Sequence, residues 1–143
     1  MMAEAQVITI AAAIILDGNK RMLVVRKRGS SVFQQPGGKI DPGETPEMAV
    51  RREVAEEIAI TLAPSAIAPL GVFSAPAANE PGMQVVAHIF SAATMESPTA
   101  AAEIAEIAWV DLDKPDSFPL APLSRHQIVP LALRLAAAGG ASR

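Results

Sequence analysis

No regular helix or strand is expected to cross residues 35–43, where the chain reads Gln-Pro-Gly-Gly-Lys-Ile-Asp-Pro-Gly. Pro36 and Pro42 lack the amide hydrogen that a helix interior or a central strand uses, and Gly37, Gly38 and Gly43 lose the most backbone freedom on ordering. The stretch reads as a loop, and the residues after it read as a helix. Thr45 suits the N-cap, Pro46 the first helical position, where a missing N–H costs nothing, and Glu47 the positive end of the helix dipole. From Thr45 to about Ala59, the residues Val50, Val54 and Ile58 recur every four positions as one core-facing stripe.

Before the loop, Val7–Leu16 and Met22–Arg28 are apolar runs joined by Asp17-Gly18-Asn19-Lys20, which is hairpin-turn chemistry, and Val32-Phe33 is a short apolar patch. After the helix, Leu70–Phe73, Gln84–Ser91 and Ile107–Val110 read as strands between Pro- and Ala-rich loops. Leu123 to Ala138 reads as a last helix that Pro130 must kink or start, and Gly139–Arg143 as a frayed tail. No repeat and no linker divides the chain, so residues 1–143 read as one domain.

Composition narrows the chemistry. Half of the residues are apolar, enough to offset the entropy of ordering a backbone, so a disordered chain is excluded. With no cysteine, thiol nucleophiles and thiolate metal sites are excluded, and imidazole can come only from His88 and His126. A net charge of −3 argues against a nucleic-acid surface, and 3% aromatic content leaves few stacking platforms for single strands. Val7–Leu16 is preceded by Glu4 and by no lysine or arginine, so it lacks the charge pattern of a signal peptide. Pro64, Pro69, Gly71 and Pro76 break the uncharged stretch from Ile58 to Asn79 too often for a membrane span, and a cytoplasmic protein is expected.

The functional signal is acidic clustering. Five of the fifteen acids, Glu44, Glu47, Glu53, Glu56 and Glu57, fall between positions 44 and 57. On a helix Glu53, Glu56 and Glu57 share an arc of roughly 100°, expected to point away from the Val50/Val54/Ile58 stripe. Like charges at this spacing cost roughly 0.2–0.5 kcal/mol per pair, and Arg52 is one cation among three acids. Standing alone, such a face would be ordinary solvated charge. Beside a glycine-rich loop it gains a second reading, in which a divalent cation sits among the carboxylates and the Gly37 carbonyl; oxygen-only ligands suit Mg²⁺ or Mn²⁺.

These residues resemble a known family. Gly38, five residues, Glu44, seven residues, then Arg52-Glu53-Val54-Ala55-Glu56-Glu57-Ile58-Ala59-Ile60 is similar to the Nudix box, with Ala59 where the family usually has glycine. If a left-handed backbone is required there, alanine loses on the order of 1–2 kcal/mol. The resemblance extends to the two preceding strands, the Gln35–Lys39 lead-in and the Trp109-Val110 strand that comes after Glu103 and Glu106. It implies an α/β fold, an α/β/α sandwich around a mixed β-sheet, and hydrolysis of a diphosphate bond in a nucleoside diphosphate derivative.

By the same resemblance Glu53, Glu56 and Glu57 would form the metal face, with Glu53 also a candidate general base. Arg52 would orient it, and Glu44 would brace the loop or a second metal. Arg26 and Lys39 are candidate phosphate contacts, and Glu103 and Glu106 candidate further ligands or bases. His88 and His126 are expected to be structural or surface residues. Mg²⁺ is the expected cofactor, with Mn²⁺ a substitute, and a small-molecule nucleotide the expected partner. Nucleoside triphosphates are the first substrate expectation. ADP-ribose or a nucleotide sugar is the alternative, and a non-catalytic nucleotide sensor the alternative of another class. Pro76 stands near where family ADP-ribose pyrophosphatases often carry a proline. The stretch Phe118–Pro122 lacks the asparagine that oxidised-guanine hydrolases of the family use to read the base, and the chain has no tyrosine of the kind associated with dinucleoside polyphosphate hydrolysis. Phe73, Asn79 and Phe90 remain as base-contact candidates. The apolar strands and Ala-rich last helix permit a homodimer.

Overall fold

The structure, a computed structural model, describes residues 6–141. The elements run β1 (Gln6–Ile15), β2 (Arg21–Lys27), β3 (Gly37–Lys39), α1 (Pro46–Ile58), β4 (Ile67–Pro76), β5 (Met83–Ala92), β6 (Ile104–Asp111) and α2 (Val129–Ala141). A four-stranded mixed sheet has the order β3-β1-β5-β4, with β1 and β5 parallel and the outer pairs antiparallel, and β2 and β6 form a second, antiparallel pair.

Alternation along the strands sorts the core into two layers. Ala11, Ala13 and Ile15 of β1, with Leu23 and Val25 of β2, pack against Val50, Val54 and Ile58 of α1. The intervening Ala12 and Ile14, with Met22 and Val24, pack on the other face against Ile128, Val129 and Ala132. The result is the expected α/β/α sandwich.

Several local expectations are corrected. The Asp17–Lys20 turn forms, with Leu16 bridging Met22, but β1 and β2 then part into different sheets because each finds its long partner elsewhere. The glycine-rich loop contains a strand after all: Gly37–Lys39 pairs with Ile10–Ala12 of β1. Glycine allows it, since a Cβ at position 37 would lie 2.3 Å from the Ala11 carbonyl oxygen. β4 is longer than its apolar core suggests and tolerates Pro69 and Pro76 because it is an edge strand with a register shift between Pro69 and Gly71.

The last helix is two pieces. Ser124–Ile128 is a π-helical turn, in which Val129 N–H reaches back to the Ser124 carbonyl, and α2 starts directly before Pro130. It continues through Gly139 and Gly140 to Ala141, past the expected end at Ala138; the rest of the expected frayed tail, residues 142 and 143, lies outside the described residues. No helix among the described residues is long and apolar enough to cross a membrane.

α1 closes on Ala59 in a left-handed conformation (φ 58°, ψ 35°), its N–H bonded to the Ala55 carbonyl at 3.2 Å. The position thus demands the conformation that alanine adopts at a cost. Ala59→Gly is expected to raise the unfolding free energy by about 0.5–1 kcal/mol, the relief of strain exceeding the added freedom of the unfolded chain. Denaturant midpoints at unchanged slope would show it.

A carboxylate helix facing a glycine loop

Thr45 caps α1 by accepting from Met48 N–H at 3.1 Å, which sets where the helix begins and so where each acid points. Five groups converge on one guanidinium. Arg52 Nε and Nη2 donate to the two oxygens of Glu44 at 2.7 and 2.8 Å, Nη1 donates to Glu53 at 2.9 Å and Glu56 at 3.3 Å, Nη2 donates to the Lys39 carbonyl at 3.1 Å, and Asp41 lies 3.3 Å away. The fork from Arg52, joined by the Asp41 N–H, holds the Glu44 carboxyl down to about 2, and the carboxylates of Glu44, Glu53 and Asp41 push Arg52 further above its ordinary value. In the structure Arg52 is shared by Glu44, Glu53 and Glu56, one positive charge among three carboxylates.

Glu53 is pressed against the loop: a Cβ on Gly38 would lie 2.6 Å from its carboxyl carbon. Glu56 stands in solvent.

Glu57 departs from the expectation that the acid arc faces away from the core. It comes seven residues, two helical turns, after Val50 and so returns to the buried side. Its carboxylate is 2% exposed. Oε1 accepts from Gly37 N–H at 2.9 Å, while Oε2 is buried with no hydrogen-bond donor among the described residues, 3.7 Å from Lys27 Nζ. Burial lifts Glu57 to about 7, against the pull of the Gly37 N–H and Lys27.

That shift has a thermodynamic sign. Between pH 4.5 and 7 the unfolded chain releases the Glu57 proton while the folded chain keeps it, so stability present below pH 4.5 is lost as pH rises through 7. Glu57→Gln preserves the acceptor for Gly37 and removes the charge. The metal-free variant is expected to gain on the order of 2–3 kcal/mol over wild type at pH 8 and nothing at pH 4. Thermal unfolding of both proteins in chelator across this range measures the difference.

Among the described residues no three acidic or imidazole side chains converge closely enough to hold a metal ion, because Glu53 and Glu56 are drawn onto Arg52. The donor chemistry nevertheless fits a hard divalent cation: all the ligands are oxygens on one helix and the facing loop, and the buried Glu57 oxygen lacks a donor. Rotation of Glu53 and Glu56 away from Arg52 is the change required.

The remaining candidates divide. Gly37, Gly38 and Lys39 line a cavity that also includes Lys27, Asn79 and Ser124. Arg26 instead forks onto Glu106, its cross-strand partner, at 2.6 and 2.9 Å, and donates to the Ser30 carbonyl. Glu103 reaches Lys27 at 3.5 Å. His88 sits in the middle of β5, half-buried, and His126 is exposed on the π-helical turn. Motif spacing does not single out Lys27; its signal in the sequence is its place beside Arg26 at the end of a strand.

Comparison with known proteins agrees with this arrangement. The NUDIX domain profile matches residues 7–131. A Bacillus subtilis (strain 168) protein, assigned provisionally as an 8-oxo-dGTP diphosphatase, is 31% identical over 122 residues, 82% of this chain and 75% of its own length. The Escherichia coli (strain K12) 8-oxo-dGTP diphosphatase is 43% identical over 56 residues, spanning 36% of this chain and 43% of that protein. The crystal structure of a MutT NUDIX hydrolase from Burkholderia pseudomallei superposes with a TM-score of 0.68 at 26% identity, covering 90% of this chain and 97% of that one. With the profile spanning the sandwich from β1 into α2, and the box residues gathered on α1 and its glycine loop, the chain belongs to the NUDIX domain family.

Proposed function

We propose that the protein is a Mg²⁺-dependent pyrophosphohydrolase of nucleoside triphosphates, acting on small-molecule nucleotides of the cytoplasm. The observation that carries this reading is the buried Glu57 oxygen without a donor among the described residues, on a carboxylate whose other oxygen accepts from Gly37, which lines a cavity together with Lys27 and Lys39. Glu53, Glu56, Glu57 and the Gly37 carbonyl would hold the metal. When bound, such a cation neutralises a diphosphate and makes hydroxide available near neutral pH.

The chain's own residues supply the rest. Glu53, free of Arg52, accepts the proton of the attacking water; a new P–O bond forms as the anhydride P–O bond breaks, giving a nucleoside monophosphate and pyrophosphate. Arg52, gripped by Glu44, orients Glu53 in the metal-free protein and stays on Glu44 when Glu53 turns away, and Lys39 faces the phosphate chain. Arg26 and Glu106 stiffen the β2–β6 pair, and Glu103 lies beside Lys27, which lines the cavity.

A nucleotide panel assayed with Mg²⁺, scored for monophosphate and pyrophosphate, tests the proposal. Release of both from at least one nucleoside triphosphate supports it. Turnover confined to ADP-ribose or nucleotide sugars would overturn the substrate class, and thermal stabilisation by nucleotides without any product would mark a sensor.

A further inference from the structure

Apart from Glu57, the buried polar side chains among the described residues are Gln35 and Ser124, and they touch each other. The contact joins distant segments. Phe33 N–H donates to the Pro119 carbonyl at 2.8 Å and Ala121 N–H to the Phe33 carbonyl at 2.9 Å, which lays the residues before Gly37 along the approach to the last helix. Ser124 then opens the π-helical turn, a rare form that recurs at functional sites. Its Oγ donates to Gln35 Oε1 at 2.7 Å, while Gln35 Nε2 donates to Met22 Sδ at 3.5 Å. A thioether sulfur accepts but cannot donate, so the amide has one orientation, nitrogen toward Met22 and oxygen toward Ser124. The second hydrogen on Nε2 has no acceptor among the described residues. An unmet buried donor costs stability, and an aliphatic side chain at this position would avoid the cost.

Gln35 and Ser124 line the cavity of Gly37, Gly38 and Lys39, together with the aliphatic side chains of Ile8, Ile10 and Val85. Ile8 faces Val85 across the parallel β1–β5 pair, and Ile10 lies two residues on, roughly 7 Å along the strand. That platform has the length of a fused two-ring base. We propose that Gln35 reads the base of the substrate by donating its unused N–H to a purine carbonyl, with Ser124 as the positioning residue that keeps the amide oxygen turned away from the ligand. The inference rests on the pyrophosphohydrolase reading for its ligand class and adds a preference to it, for purines with a carbonyl at position 6 over purines with an amino group there. The carbonyl accepts the N–H. An amino group in its place sets donor against donor and leaves both unpaired out of water, the kind of mismatch by which a polar site rejects a ligand of nearly the same shape.

Calorimetric titration of the full chain in Mg²⁺ with inosine monophosphate and with adenosine monophosphate tests it, because the two share ribose and phosphate and differ at the carbonyl or amino group. The wild type is expected to bind the inosine nucleotide at least about tenfold more tightly. Gln35→Met keeps the length of the side chain and removes the amide; it is expected to bring the two affinities within about threefold of each other, by weakening the inosine nucleotide. Ser124→Ala frees the amide to turn its oxygen to the ligand, and is expected to narrow the ratio from the other side, by strengthening the adenosine nucleotide.

A merely structural lock between Gln35 and Ser124 would lower the unfolding temperature of both variants and leave the ratio of affinities unchanged; that outcome overturns the proposal. Equal affinities in the wild type overturn it whether or not either variant folds, as does tighter binding of the adenosine nucleotide or no binding of either. None of these titrations uses turnover. A wild-type chain that prefers the inosine nucleotide yet hydrolyses no triphosphate would refute the pyrophosphohydrolase reading and leave the assignment of Gln35 standing.

Discussion

Glu53→Gln is expected to lower turnover at least about 10²-fold, with the unfolding temperature of the metal-free protein nearly unchanged. The amide keeps the shape that fits against Gly38, so the loop and helix need not move. What disappears is a charge: the carboxylate that accepts the water proton and, with Glu56 and Glu57, the field that holds a divalent cation. The loss should appear in kcat at saturating Mg²⁺ and nucleotide, since raising the metal concentration can repair weakened binding but cannot supply a base. Retention of more than about a tenth of the wild-type rate at saturation would remove Glu53 from the role assigned to it. Comparison of metal-free unfolding curves guards the inference, because a misfolded variant would show a shifted midpoint.

Gly38→Ala is the complementary case, in which the charge stays and its place is taken. The added methyl would lie 2.6–2.7 Å from all three atoms of the Glu53 carboxyl group, so the side chain must swing aside. Glu53 has somewhere to go: Arg52 already holds it at 2.9 Å, and Glu56 beside it is exposed. The expected result is a fall in kcat of about 10–10²-fold, the cost of displacing a catalytic group by an ångström or so, with a small loss of stability. Gly37→Ala should behave differently. There the new methyl meets the backbone of β1, which cannot yield, so the expected damage is to the β1–β3 pairing and to folding as a whole. Kinetics and unfolding on both variants separate the two, and equal damage to stability would contradict the assignment of Gly38 to the Glu53 contact.

Much of the site is legible in the sequence because a helix is periodic. Thr45 and Pro46 mark where α1 starts, and from there the spacing of Arg52, Glu53 and Glu56 predicts that they share a face, as they do around one guanidinium. Glu44 is legible as a loop acid, though its double hold on Arg52 depends on how the loop folds back over eight residues. Expecting the whole acid arc to face away from the core misses the burial of Glu57. Its burial comes from the same periodicity, counted through seven residues from Val50, and from a partner, Gly37 N–H, that lies twenty residues away.

The features hidden from a residue-by-residue reading are non-local. β3 is a strand because the free edge of β1 is available to it, and no property of Gly-Gly-Lys announces that edge. Likewise β1 and β2 meet at an ordinary hairpin turn, but their long partners, β5 and β6, send them into different sheets. Pro130 signals a kink or a helix start; a π-helical turn in front of it allows the chain to change ladder without a bend that sequence rules describe.

By itself the amino-acid sequence determined the sandwich class, the carboxylate helix with its capping residues, and the acids crowded upon it, because these rest on short-range spacing and on which side chains water rejects. Only the tertiary structure decided that Arg52 is shared by three carboxylates, that one oxygen of Glu57 is buried without a donor among the described residues, and that Lys27 rather than Arg26 faces it. Those facts depend on which strands pair and where the β2–β6 register slips, and pairing is settled by the packing of the whole core, in which residues far apart in the chain compete for the same edges and the same space.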